Sequence, residues 1–155
     1  MNSGTVSVSQ ADVRKMTCDS FLNIFMVFQK VYLFNDTIEN NIRFGNPAAT
    51  HDDVVQAAKK AQCHDFIMRL PNGYNTTVGE GGSSLSGGEK QRISITRAIL
   101  KNATIIILDE ATASVDPENE HLIQQAISEL TVGKPVVVIA HRLATIEHAE
   151  GWSIA

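Results

Sequence analysis

Apolar residues recur along this chain in two rhythms. Ile24-Phe-Met-Val-Phe28, Ile105-Ile-Ile-Leu108 and Val136–Ala140 are short unbroken apolar runs rich in β-branched residues. Such runs predict strands covered on both faces, as in a parallel sheet. Other segments carry helical spacing: Val54, Val55, Ala58 and Ala61; then Ile93, Ile95, Ala98, Ile99 and Leu100; then Leu122, Ile123, Ala126, Ile127 and Leu130. Start signals precede them. Thr50-x-x-Asp53, Asp36-x-x-Glu39 and Ser86-Gly-Gly-Glu89 have the form of capping boxes, and Asp116-Pro117 places a cap before a first-turn proline. Gly133 ends the last helix. Weaker signals are an alternating strand at Gly4–Val8, a cap at Asp19, a helical patch over Asp65–Leu70, a turn at Pro71-Asn-Gly73 and a loop over Thr76–Ser84. Strand, helix, strand with apolar strands predicts an α/β fold.

Composition narrows the class and names no chemistry. The 155 residues are 43% hydrophobic and 19% charged, with net charge -4. That suits one soluble domain and excludes a disordered chain. The mild acidity gives no electrostatic reason to expect nucleic acid. No apolar run approaches the ~20 residues of a membrane span, and no secretory signal is legible. Cys18 and Cys63 stand far apart outside any CxxC pair, as expected of two reduced thiols in an intracellular protein.

Ligands of an open parallel sheet gather at the carboxyl ends of its strands. Three predicted strands run into polar residues there: Gln29, Asp109-Glu110 and His141. Leu85-Ser-Gly-Gly-Glu-Lys-Gln-Arg92 is more specific. Two glycines at a helix start leave backbone N–H groups open to close approach, Ser86 adds a hydroxyl, and the helix dipole favours an anion.

On these residues the chain resembles the nucleotide-binding domain of an ATP-binding-cassette (ABC) transporter. Leu85–Arg92 matches that family's signature motif. Ile105–Glu110 resembles its Walker B strand, Ala111–Asp116 its D-loop, His141 its switch histidine and Met26–Gln29 its Q-loop. Thr77-Val-Gly-Glu-Gly-Gly82 looks like the short loop that typifies exporters. The resemblance covers about residues 4–149 and implies a single incomplete ATPase domain over 1–155. Its fold would be a partial P-loop NTPase-like parallel sheet, from about 1–35 and 101–155, with a helical signature subdomain inserted over about 36–100.

The resemblance implies ATP and Mg²⁺ as cofactors. Asp109 and Gln29 would hold the metal, Glu110 would act as general base, and His141 would position the γ-phosphate and attacking water. Ser86, Gly87, Gly88 and Gln91 would meet ATP held by the opposite domain of a head-to-tail dimer, with Asp116 at the seam. Glu80 and Val31–Phe44 resemble the surface that meets an exporter's transmembrane partner, which would hold the chain at the cytoplasmic face of the membrane.

One motif of that family is missing. The 155 residues contain no G-x-x-x-x-G-K-[ST] P-loop, since Gly82 and Gly87 are followed by Gly88-Glu89. The resemblance thus implies a chain inactive by itself. Lacking a central P-loop strand, its sheet is expected to be marginal, or to repack with Ile24–Phe28 directly beside Ile105–Leu108. Thr96, where the family usually carries alanine, is expected to be a small packing loss. The alternative reading is a non-catalytic module that donates its signature motif to a partner ATPase subunit. A DNA-repair ATPase fits less well. That class separates Q-loop from signature by a long coiled coil, and here about 55 residues intervene.

Overall fold

The computed structural model describes residues 7–8, 11–12, 14, 24–27, 31–109 and 117–139. Strands β1 (Ser7–Val8) and β2 (Ala11–Asp12) form a two-residue antiparallel ladder. Strand β3 (Ile24–Val27) follows, then β4 (Asp36–Thr37), α1 (Ile38–Arg43), α2 (His51–Lys60), α3 (His64–Arg69) and β5 (Thr77–Val78). Helix α4 (Gly87–Lys101), β6 (Ile105–Asp109), α5 (Pro117–Thr131) and β7 (Val136–Ile139) complete the order.

The three apolar runs form one parallel sheet in the order β3-β6-β7, with Val27 opposite Leu108 and Asp109 opposite Ile139. All three strands point the same way, so their carboxyl ends share one edge. The α/β expectation holds.

Three of the predicted caps fall within the described residues, and two of them form as expected. Thr50 and Asp53 exchange side-chain and backbone hydrogen bonds at the start of α2, as do Ser86 and Glu89 at the start of α4. The third is displaced by one residue. Thr37, not Asp36, caps α1 by accepting from Asn40 N at 3.1 Å. Asp36 instead lies in β4, and its Oδ1 accepts from Thr37 N and Asn40 Nδ2. Glu39, freed from capping, pairs with Arg43 at 2.9 Å and with His51 at 2.8 Å.

The loop expected over Thr76–Ser84 contains β5, which pairs antiparallel with β4 and draws that segment against residues 33–38. The strand expected at Gly4–Val8 is described only over β1, and the cap expected at Asp19 lies outside the described residues.

Helix α4 is the hub. It packs against α1, α2, α5 and β3, and Gln91 through Ala98 are all buried. One apolar cluster joins Leu33, Ile42, Val54 and Ile67 of the helical middle to Val27, Ile106, Ile123 and Leu130 around the sheet. Thr96 is not a packing loss. Its hydroxyl donates to Arg92 O at 2.8 Å and lies 3.2 Å from the Cys63 sulfur, while burial pushes that free thiol up to about 12.

The clearest departure is β7. Its four apolar residues predict cover on both faces, yet Val136, Val137, Val138 and Ile139 are 36 to 51% exposed. Strand β7 ends the sheet among the described residues, so an apolar backbone edge faces outward. Such an edge is a template for pairing with another chain. Val137→Lys is therefore expected to reduce concentration-dependent self-association while leaving the melting midpoint within about 2 °C. Light scattering across a concentration series checks this, and unchanged association would show that β7 does not drive it.

Candidate functional site

Ser86 has extended backbone angles, φ -65° and ψ 162°, and turns the chain into α4. Its hydroxyl accepts from Glu89 N at 3.3 Å, while the Glu89 carboxylate accepts from Ser86 N at 2.8 Å. Lys90 N donates to Ser86 O at 3.1 Å. The N–H groups of Gly87 and Gly88 are left with no intrahelical acceptor, because the first turn of a helix has none to offer. They join the positive end of the helix dipole, and the Ser86 hydroxyl retains its own proton to donate. This turn is chemically suited to an anion.

The two glycines differ. A side chain at Gly87 would meet nothing within 4 Å, so that backbone is open to an approaching group. A Cβ at Gly88 would lie 2.7 Å from Cβ of Asn119 on α5, so that glycine is required by packing inside the molecule. Gln91, one turn further in, is buried. Sequence reasoning treated these four residues alike; the structure puts Ser86 and Gly87 at the surface and Gly88 and Gln91 inside.

Asp109 ends β6 at the carboxyl edge of the sheet and is half-buried. Gln29, Glu110, Asp116 and His141 lie outside the described residues. In the chain, Gln29 comes two residues after β3, Glu110 one after β6 and His141 two after β7. The carboxyl ends of those three parallel strands share one edge of the sheet. No cluster of three or more metal-ligating side chains occurs among the described residues.

A second surface involves Val31–Phe44 and Glu80. A cavity of about 400 Å³ opens between β3 and α4, lined by Phe25, Tyr32, Phe34, Phe44, Arg97 and Lys101. Tyr32, Phe34 and Phe44 are exposed yet in ring contact, Phe34 lying 5.6 Å from Tyr32 and 5.0 Å from Phe44. Tyr32 donates to the Glu80 carboxylate at 3.3 Å, so the structure brings Glu80 to this segment.

Sequence reasoning missed what holds the surface in place. Buried Arg97 donates to Asn41 O at 2.6 Å, Tyr32 O at 2.9 Å and Asn41 Oδ1 at 2.8 Å. Asn41, also buried, exchanges hydrogen bonds with Phe34 N and O and donates to Thr37 O. Carbonyl oxygens rather than a carboxylate thus satisfy the guanidinium, and burial pushes it down to about 10, still cationic at neutral pH. An asparagine followed one turn later by nothing charged carries no signal of this partnership.

Comparison with known proteins agrees with this architecture. Residues 1–113 match the family described as ABC transporter. The chain is 48% identical over 151 residues to the heavy metal tolerance protein of Schizosaccharomyces pombe, covering 97% of this chain and 18% of that protein. It is 47% identical over 151 residues to the ATP-dependent lipid A-core flippase of Syntrophus aciditrophicus, covering 97% of this chain and 25% of that protein.

A solved bacterial Atm1-family ABC exporter with ATP bound superposes with a TM-score of 0.84 at 41% identity, covering 95% of this chain and 26% of that one. The chain therefore spans about a quarter or less of the length of these relatives. At that likeness, the direct pairing of β3 with β6 belongs to the shared fold rather than to repacking around a gap. The expectation of a central gap is corrected accordingly: β6 has a neighbour on each side.

The Arg97–Asn41 network makes a direct prediction. Asn41→Ala removes the amide that joins α1, α4 and the Tyr32–Phe34 segment, and is expected to cost about 2–4 kcal/mol, as for breaking a buried polar network. Urea unfolding measures it; a loss below about 1 kcal/mol would show that water replaces the amide.

Proposed function

The chain belongs to the ABC transporter family, and we propose that it is the signature-bearing part of an exporter's ATP-binding domain, meeting ATP held on a second such domain. The observation that supports this best is the start of α4. Two backbone N–H groups without intrahelical acceptors, a donor hydroxyl and an open Gly87 converge on one turn. A phosphate group fits that turn by charge and by space.

ATP, when bound, supplies the phosphoryl group whose transfer to water is coupled to export. Ser86, Gly87 and Gly88 donate hydrogen bonds to a phosphate at the α4 mouth, with Gln91 supporting the turn from within. In this reading Asp109 and Gln29 hold Mg²⁺ through carboxylate and amide oxygens, which are the hard donors that ion takes. Glu110 accepts a proton from the attacking water, His141 orients that water, and Asp116 lies at the seam between the two domains. The aromatic surface of Tyr32, Phe34 and Phe44, with Glu80, receives the exporter's transmembrane part and so links the chain to the cytoplasmic face of a membrane.

Residues 1–155 then form one incomplete ATPase domain, with 36–100 as its signature subdomain. Because these residues contain no P-loop lysine, we further propose that the chain does not hydrolyse ATP alone. The second reading, a non-catalytic module that lends its signature turn to a partner ATPase subunit, draws on the same absence.

Sedimentation velocity with a hydrolysis-inactive, P-loop-bearing ABC exporter ATPase domain tests the first claim. Association is expected in MgATP and not without it. Gly87→Asp adds a carboxylate where a side chain has open space and where a helix start tolerates acid, so folding persists. It is nevertheless expected to weaken the ATP-dependent association at least about tenfold, or 1.4 kcal/mol. Equal association without nucleotide, or an unaffected Gly87→Asp variant, would overturn the reading.

A further inference from the structure

The interior side of Gly88 faces α5. Cβ, Cγ and Oδ1 of Asn119 lie 2.7 to 2.8 Å from the position a Gly88 Cβ would take. Asn119 Oδ1 also accepts a hydrogen bond from Arg92 Nη1 at 2.5 Å. Arg92 is 3% exposed, its Cζ lies over the Phe66 ring 5.3 Å from the centroid, and its Nε has no hydrogen-bond partner. Among the described residues Asn119 is the one hydrogen-bond acceptor of this buried cation, and a buried charge depends heavily on such a partner. Asn119 therefore grips α4 at two points one turn apart: the space left by Gly88 and the guanidinium of Arg92. It does so from the first turn of α5, the helix that begins at Pro117 directly after Asp116.

We propose that Asn119 is a positioning residue that locks the anion-facing first turn of α4 to the first turn of α5, so that the two turns move as one body. This rests on the reading of the α4 mouth as a phosphate-binding turn. It adds that Gly88 is a glycine to seat Asn119, whereas Gly87 is the one open to the ligand. A displacement of the α5 start is then carried to the Gly87 and Gly88 N–H groups through one side chain.

A double-mutant cycle in the 155-residue chain tests the seat. Gly88→Ala is expected to lower the melting midpoint by about 5 °C or more, through overlap with a helix-borne Cβ that cannot rotate away. On an Asn119→Gly background, which removes that side chain, the same substitution is expected to cost less than about 1 °C. If Gly88→Ala alone does not fold, recovery of the fold in the double variant supports the seat, and failure to recover overturns it. Additive losses also overturn it.

Backbone amide exchange tests the positioning. Asn119→Leu keeps the bulk and removes the acceptor. It is expected to speed exchange at Glu89 and Lys90 at least about tenfold relative to α2, and Asn119→Asp, which keeps the acceptor, is expected to restore protection. Equal acceleration in α2, or no rescue by Asn119→Asp, would overturn the proposal. Neither measurement uses nucleotide, so the phosphate reading stands or falls separately on the ATP-dependent association described above.

Discussion

A helix that carries Gln91, Arg92, Ser94, Thr96 and Arg97 into a core must find partners for those polar groups. In α4 they come from every side. Arg97 takes carbonyl oxygens from the Tyr32 segment and from α1, Thr96 donates back to Arg92 O and lies beside Cys63, and Arg92 reaches Asn119 on α5. Apolar contact alone would let these elements slide over one another. Directional bonds from a central helix hold α1, the β3–β4 connection and α5 in register with it. One turn is left with unused donors, and that is the turn at its start.

That arrangement explains how one buried helix supports two contrasting surfaces. The α4 mouth is polar and anion-suited because its capping box consumes only part of the first-turn N–H set. The aromatic surface is apolar and exposed, yet ordered, because Arg97 and Asn41 pin the backbone from beneath. Both surfaces trace back to residues of one fifteen-residue helix. In the exporter reading, a signal between nucleotide and transmembrane partner crosses the short length of α4, from Ser86 at one end to Arg97 near the other.

Much of this was legible in the residues, for identifiable reasons. Unbroken β-branched runs gave away the parallel sheet because strands with neighbours on both faces need apolar residues throughout. Capping boxes located α2 and α4 because the reciprocal bond requires a fixed three-residue spacing. The Asp36 cap failed by one position because Thr37 offers an equivalent hydroxyl and β4 claims Asp36. Strand β7 misled for a different reason. Its pattern encodes cover on both faces, which the described residues do not supply. The Arg97–Asn41 and Arg92–Asn119 pairs were illegible because each joins residues far apart in the chain, 56 and 27 positions respectively, with no periodic signal between them.

The most direct test of the account is thermal melting of the purified chain with and without millimolar MgATP. A signature turn without its own P-loop should hold nucleotide too weakly to matter, so the account predicts midpoints that agree within about 1 °C, since stabilisation follows RT ln(1 + [L]/Kd). A sharp transition that rises by several degrees with MgATP would mean that the chain possesses a complete nucleotide site of its own, and would contradict the shared-site reading.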